Sequence, residues 1–200
     1  MDWLYYENLY GKNGEKVVCG VDEAGRGPLA GRVYAAAVIM PQGLIIDGVN
    51  DSKKLTEKKR EALFDKITES VLGYSVAWAD EKEIDEINIL QATYLAMKRA
   101  VEGLKIEPDM ILVDGNRLPD FGIPAEAIVK GDSLSHSIAC ASILAKVSRD
   151  RYICAEAEKY PEYSFEKHKG YGTELHREAL LKYGPSPIHR KTFLKKILGK

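Results

Sequence analysis

The longest uninterrupted apolar run in the chain, Val33 to Met40, is eight residues long and stops at Pro41. That is too short to cross a bilayer as a helix, and it reads as a buried strand. A second short run, Val17 to Val21, lies just upstream across a turn, so the two predict antiparallel neighbours. Leu72 to Ala79 alternates as a third strand, and Met110 to Val113 and Ala125 to Val129 supply two more. Between them, Thr56-Glu57-Lys58-Lys59 opens a helix with Leu63, Phe64 and Ile67 at helical spacing. Another helix is predicted from about Asp85 to Gly103, and a long one from Ser133 to about Tyr160. A meander of three strands, then strands alternating with helices, predicts an α/β chain with a mixed sheet flanked by helices.

After Tyr160 the pattern changes. Phe165 to Gly172 reads as a polar loop, Thr173 caps a helix to Tyr183, Gly184-Pro185 breaks it, and Ser186-Pro187 starts a last helix. The expected division is a body of residues 1–160 and a helical extension of residues 161–200, together one compact unit. Two hundred residues, 45% apolar and 30% charged, suit such a globular domain. The net charge of −1 hides an asymmetry: residues 167–200 carry nine Lys or Arg against two Glu. A basic end on an acidic body suggests one part gripping an anion and another holding cations, although basic terminal helices also serve solubility. Cys19, Cys140 and Cys154 are odd in number and form no CxxC pattern, which argues against a disulfide framework or thiolate zinc site. With no secretory signal at the start, the expected location is cytoplasmic.

Four acidic residues occupy comparable places: Asp22 and Glu23 end the first strand, Asp114 ends the fourth, and Asp132 follows the fifth. If those strand ends converge, four carboxylates repel one another unless protonated or bound to cations. Oxygen-only ligands favour Mg²⁺ or Mn²⁺ over zinc, and two such ions are a device for phosphoryl displacement. Asp132 would gain further from the N-terminus of the following helix. One geometric restriction applies: adjacent strand residues face opposite ways, so Asp22 and Glu23 reach one metal only if the strand ends between them. Asp at a strand end is also an ordinary turn former.

The segment Gly25-Arg26-Gly27-Pro28-Leu29-Ala30-Gly31 superficially matches a dinucleotide fingerprint, but that motif needs a helix directly afterwards and a strand follows here. No GxxxxGK[ST] P-loop is present either. What remains is a bare-backbone turn that a nucleic-acid strand could approach closely, with Arg26 available to a phosphate.

Val21 to Gly31 resembles the opening signature of prokaryotic ribonuclease HII. Asp51-Ser52-Lys53-Lys54-Leu55, Val113-Asp114-Gly115-Asn116, Lys130-Gly131-Asp132-Ser133, Ala141 to Asp150 and His168 to Thr173 resemble its later blocks in the same order. The resemblance implies a ribonuclease H-like mixed five-stranded sheet with a C-terminal helical, substrate-binding extension. It implies an endoribonuclease that cuts the RNA strand of RNA–DNA hybrids and nicks duplex DNA beside an embedded ribonucleotide. By residue matching, the catalytic and metal-binding carboxylates are Asp22, Glu23, Asp114 and Asp132. One ion, held chiefly by Asp22 and Asp132, would activate water, and another would stabilise the leaving 3′-oxygen. Gly25, Arg26 and Gly27 would contact the 2′-hydroxyl, and Tyr171 would pack on the DNA-side sugar.

Other candidates have ordinary alternatives. Lys53 meets a phosphate or is simply solvated; Lys146 and Arg149 form a salt bridge or a backbone contact; His136 is a satisfied helix residue. His168 and His176, eight apart, are not at zinc spacing. Arg190, Lys191, Lys195 and Lys196 are expected on duplex phosphates, and a monomer is the default. DNA strand transfer, junction cleavage and hybrid binding without activity are the competing readings.

Overall fold

A computed structural model describes residues 2–199, without the side chains of Asn13 and Lys196. In chain order the elements are α1 (Tyr5–Gly11), β1 (Val18–Ala24), β2 (Val33–Ile39), α2 (Glu57–Ser70), β3 (Gly73–Ala79) and α3 (Glu81–Glu102). Then come β4 (Met110–Asp114), β5 (Ala125–Ile128), α4 (His136–Lys159), α5 (Phe165–His168), α6 (Glu174–Tyr183) and α7 (Lys191–Leu198). The strands form one five-stranded sheet in the order β3-β2-β1-β4-β5. Pairing is antiparallel among β3, β2 and β1 and parallel across β1, β4 and β5. This is the mixed α/β sheet expected from the sequence.

Every residue of β2 is buried because helices cover both faces of the sheet. Val33, Ala35, Ala37 and Ile39 belong to the core beneath α3, whereas Ala36 and Val38 pack with α4 and α2. At Gly20 in β1 the approach of α4 is so close that a Cβ there would lie 2.3 Å from the backbone of Ser137. α4 is accordingly buried all round its early turns instead of along one stripe, and His136 to Ala145, mostly small or apolar residues, are all buried.

Several boundaries differ from expectation, each for a local reason. β1 runs on through Asp22 and Glu23 to Ala24, because its ladder with β2 continues to the Ala24–Tyr34 pair. α3 starts at Glu81, where Asp80 and Glu83 form a reciprocal cap. Asn88 (φ 68°) interrupts it, its Oδ1 accepting from the N–H groups of Leu90 and Gln91. Phe165–His168 is a short helix, not a loop. The last helix begins at Lys191, not at Ser186-Pro187. His189 N–H closes a turn onto Ser186 O, His189 bridges to Ala30, and Asp85 accepts from the N–H groups of Lys191 and Thr192 to cap α7. The short α1 has no expected counterpart. Glu7 anchors it, accepting from Ser137 N and from the hydroxyls of Ser135 and Ser137 at the start of α4. The positive end of α4 thus serves Glu7 and not, as expected, Asp132.

The extension packs on the body through Phe165, Leu180, Ile188 and Leu194 against Ala30, Ile153 and Ala157. Three buried histidines lie in this core. Gly170 N–H donates to His168 Nδ1, so His168 Nε2 carries the proton given to Tyr163 O. Ser186 N–H donates to His189 Nδ1, so His189 Nε2–H donates to His176 Nε2, whose Nδ1–H reaches Tyr171 O. Each ring accepts at one nitrogen and must therefore be neutral. Burial lowers all three, His176 to about 4 and His189 to about 3, and it lowers His136 as well. Below about pH 6.5 the unfolded chain binds more protons at these positions, so their share of stability is full above that pH and is lost as pH falls. At pH 5 the loss is about 2 kcal/mol for each of His176 and His189. Imidazole NMR at pH 5.5 should find His176 and His189 neutral; either ring titrating near 6.5 would contradict this packing.

Among the described residues, no helix is long and apolar enough to cross a membrane.

Candidate active site

Parity along β1 decides where its two carboxylates go. Cys19 and Val21 face α3, so Asp22 falls on the α4 side of the sheet and Glu23 on the α3 side. Asp114, at the end of β4, shares the α4 side with Leu112, which packs on Ile138 of α4. Asp132 sits in the single turn Gly131–Ser133 between β5 and α4, and its N–H donates to Asp114 Oδ1 at 3.3 Å. One carboxylate oxygen from each of Asp22, Asp114 and Asp132 lies within 4.8 Å of the other two. Glu23 lies outside this group, as strand alternation requires once β1 continues past Asp22. It shares a cavity with Arg26, Asp114, Asn116 and Arg117, and Arg26 Nη1 leans on it at 3.5 Å.

Burial, then the charges of Glu23 and Asp114, hold the Asp22 carboxyl well above the usual carboxylate range. Asp114 is raised by burial and by Asp132, and Glu23 by burial, with Arg26 opposing. Lys53 extends toward the group, its Nζ 3.7 Å from Asp132 Oδ2, but its side chain is 81% exposed and compensates little. Three clustered carboxylates with so little counter-charge, all oxygen donors, fit a hard divalent cation.

The glycine turn follows directly on β1. Gly25 (φ +98°) lies on the buried Arg149, whose Nη2 donates to Lys169 O at 2.8 Å and whose Cζ lies 5.6 Å from the Tyr171 ring centre. Leu29 N–H donates to Gly170 O, and a Cβ on Gly27 would meet the Tyr171 ring at 3.6 Å. The turn and Tyr171, 144 positions apart in the chain, thus form one surface, with Tyr171 43% exposed.

Arg190 does not face outward as expected. It is fully buried and donates to the carbonyls of Gly25, Arg26, Pro28 and Gly31. Nothing in the local sequence separates it from its exposed neighbours Lys191 and Lys195; only the Ala30–His189 bridge, a tertiary pairing, turns it inward. The side chain of Lys196 lies outside the described residues. Lys146 pairs with Asp150 at 2.8 Å, and Arg149 makes both contacts considered for it, an ion pair with Asp150 at 3.7 Å and the bond to Lys169 O. His136 is satisfied only in part: its Nε2 accepts from Ile46 N–H, while its Nδ1 is buried with no hydrogen-bond partner among the described residues.

Comparison with known proteins gives this arrangement a family. A Ribonuclease HII family model matches residues 19–196. The chain belongs to the ribonuclease HII family. It is 65% identical over 186 residues to ribonuclease HII of Caldicellulosiruptor bescii, covering 93% of this chain and 90% of that protein. It is 54% identical to ribonuclease HII of Acetivibrio thermocellus, covering 99% and 77%. The structure resembles the ribonuclease H2 of Pyrococcus horikoshii, with TM-score 0.75 and 32% identity over 90% of this chain and 96% of that one. It also resembles the RNase HII solved in complex with PCNA from Archaeoglobus fulgidus, with TM-score 0.73 and 26% identity over 92% and 97%. As a ribonuclease HII, the protein is an endoribonuclease that depends on divalent metal ions.

Proposed function

We propose that the protein cuts the RNA strand of RNA–DNA hybrids and nicks duplex DNA on the 5′ side of a single embedded ribonucleotide. The supporting observation is the convergence of Asp22, Asp114 and Asp132 at the end of the same strand that leads into the glycine turn and, across it, Tyr171. In this reading Asp22, Asp114 and Asp132 hold the metal directly, and Glu23 approaches from the α3 side. Bound Mg²⁺ or Mn²⁺ supplies an activated water and charge stabilisation for the leaving 3′-oxygen. The backbone at Gly25, Arg26 and Gly27 recognises the 2′-hydroxyl, the group that distinguishes RNA from DNA. The Tyr171 ring lies against the adjacent deoxyribose, where a 2′-hydroxyl would not fit. Lys53, exposed beside Asp132, is placed to meet the scissile phosphate. Residues 1–160 form the catalytic body and residues 161–200 the substrate-binding extension, whose exposed Lys191 and Lys195 add salt-dependent affinity for duplex phosphates. The working unit is a monomer in the cytoplasm, a reducing compartment compatible with three free cysteines.

Hydrolysis breaks the P–O3′ bond, leaving a 3′-hydroxyl on the DNA and a 5′-phosphate on the ribonucleotide. A labelled duplex with one ribonucleotide is expected to give this single nick, and an all-DNA duplex none. Equal cutting of both would overturn the recognition of the 2′-hydroxyl.

A further inference from the structure

The guanidinium of Arg190 is buried and, among the described residues, has no carboxylate within ion-pair distance. Nε donates to Gly31 O at 2.8 Å, Nη1 to Arg26 O at 3.0 Å and to Pro28 O at 2.8 Å, and Nη2 to Gly25 O at 2.6 Å. Its own N–H donates to Leu29 O, and Gly31 N–H donates back to Ile188 O, so residues 188–190 grip the turn along its whole length. Burying this cation costs desolvation, offset by its bonds to four carbonyls of one short turn and by the Phe193 ring 5.2 Å from its Cζ, and those bonds fix the shape of the turn.

The geometry of the peptide unit gives this a consequence. In a planar trans peptide the carbonyl of one residue and the N–H of the next point in opposite directions, and the chain has no cis peptide bond among the described residues. Drawing the carbonyls of Gly25 and Arg26 inward onto Arg190 therefore turns the N–H groups of Arg26 and Gly27 outward. Both residues are exposed, and among the described residues neither N–H has an acceptor. Two adjacent, unpartnered donors then lie on the exposed surface of the turn, near Tyr171.

We propose that Arg190 is a positioning residue for ribonucleotide recognition: by holding four carbonyls of the glycine turn inward, it presents the Arg26 and Gly27 N–H groups as a preformed donor pair for the 2′-oxygen. This rests on the reading of the turn given under Proposed function, and it adds a residue from the far end of the chain that touches no substrate. Arg suits the task because its planar fork reaches several acceptors at once, whereas Lys offers a single point of donation.

The test compares affinity for a duplex containing one ribonucleotide with affinity for the all-DNA duplex of the same sequence. Both are measured in an Asp132→Asn background, so that cleavage does not interfere, with and without Arg190→Lys. With Arg190 present, the ribonucleotide duplex binds more tightly. Arg190→Lys is expected to reduce that preference about tenfold or to abolish it, while all-DNA affinity, set by phosphate contacts, stays within about twofold. If both affinities fall together and the ratio is unchanged, Arg190 is structural only and the proposal is overturned. If the ratio is already one with Arg190 present, the reading of the glycine turn fails and the proposal falls with it. Should Arg190→Lys not fold, amide hydrogen exchange of the Asp132→Asn protein decides. The expected result is fast exchange at Arg26 and Gly27 in the free protein and protection by the ribonucleotide duplex but not by all-DNA. Protection already present in the free protein would overturn the outward donor pair.

Discussion

Asp22→Asn is expected to lower the cleavage rate on the order of 10³-fold or more, while raising the thermal midpoint of the metal-free protein. The rate loss follows from removing a direct ligand to the ion that activates water and stabilises charge, a contribution of several kcal/mol. The stability gain follows from the same burial and like charge that raise the Asp22 carboxyl, since Asn keeps the acceptor that Glu23 N–H uses at 2.7 Å and drops the charge. Relief of about 1 kcal/mol corresponds to a rise of roughly 2–4 °C in a chain of this size. Loss of activity with loss of stability would mean that Asp22 is a structural group. Loss with a gain is the pattern of a site kept under electrostatic strain for function.

Substitutions in the glycine turn should separate fold from recognition. At Gly25 an alanine would have to adopt φ +98°, and its Cβ would lie 2.3 Å from Arg149 Nε and 3.0 Å from Arg32 O. Arg149 has little freedom to move aside, held by Lys169 O and lying near the Tyr171 ring. Strain and overpacking together predict a loss of about 3 kcal/mol, on the order of a 10 °C fall in midpoint, along with lost activity. Gly27 is different: its φ is not positive, and an added Cβ would meet only the Tyr171 ring, at an ordinary 3.6 Å. Gly27→Ala should therefore keep the wild-type midpoint within about 2 °C and still lose cleavage at an embedded ribonucleotide, because the methyl group occupies space meant for the sugar. If Gly27→Ala is fully active, the turn does not approach the ribose.

The sheet was legible because its strands are apolar, short and separated by strong punctuation, and the long helices because their apolar faces repeat at helical spacing. The convergence of the aspartates was legible for a related reason: Asp114 closes β4, Asp132 follows β5 and Asp22 lies two residues before the end of β1, and parallel neighbours bring such ends together. The separate place of Glu23 needed only strand alternation and the knowledge that β1 continues to Ala24. What stayed hidden depends on tertiary pairing. Arg190 looks like its lysine neighbours until the Ala30–His189 bridge turns it inward. Ser186-Pro187 has the chemistry of a helix start, but His189 uses Ser186 for a turn and Asp85 provides the cap five residues later. Asp132 resembles a helix-dipole residue, yet Glu7, from a helix too short to show a pattern, holds the N-terminus of α4.

The central claim, that Asp22, Asp114 and Asp132 jointly hold a divalent cation, is tested most directly by titrating Mn²⁺ into the protein and following free ion by electron paramagnetic resonance. The wild type should take up Mn²⁺, and Asp22→Asn should bind it more weakly by at least the roughly 10–100-fold typical of changes one shell further out. Equal uptake by both proteins would place the metal elsewhere and contradict the account.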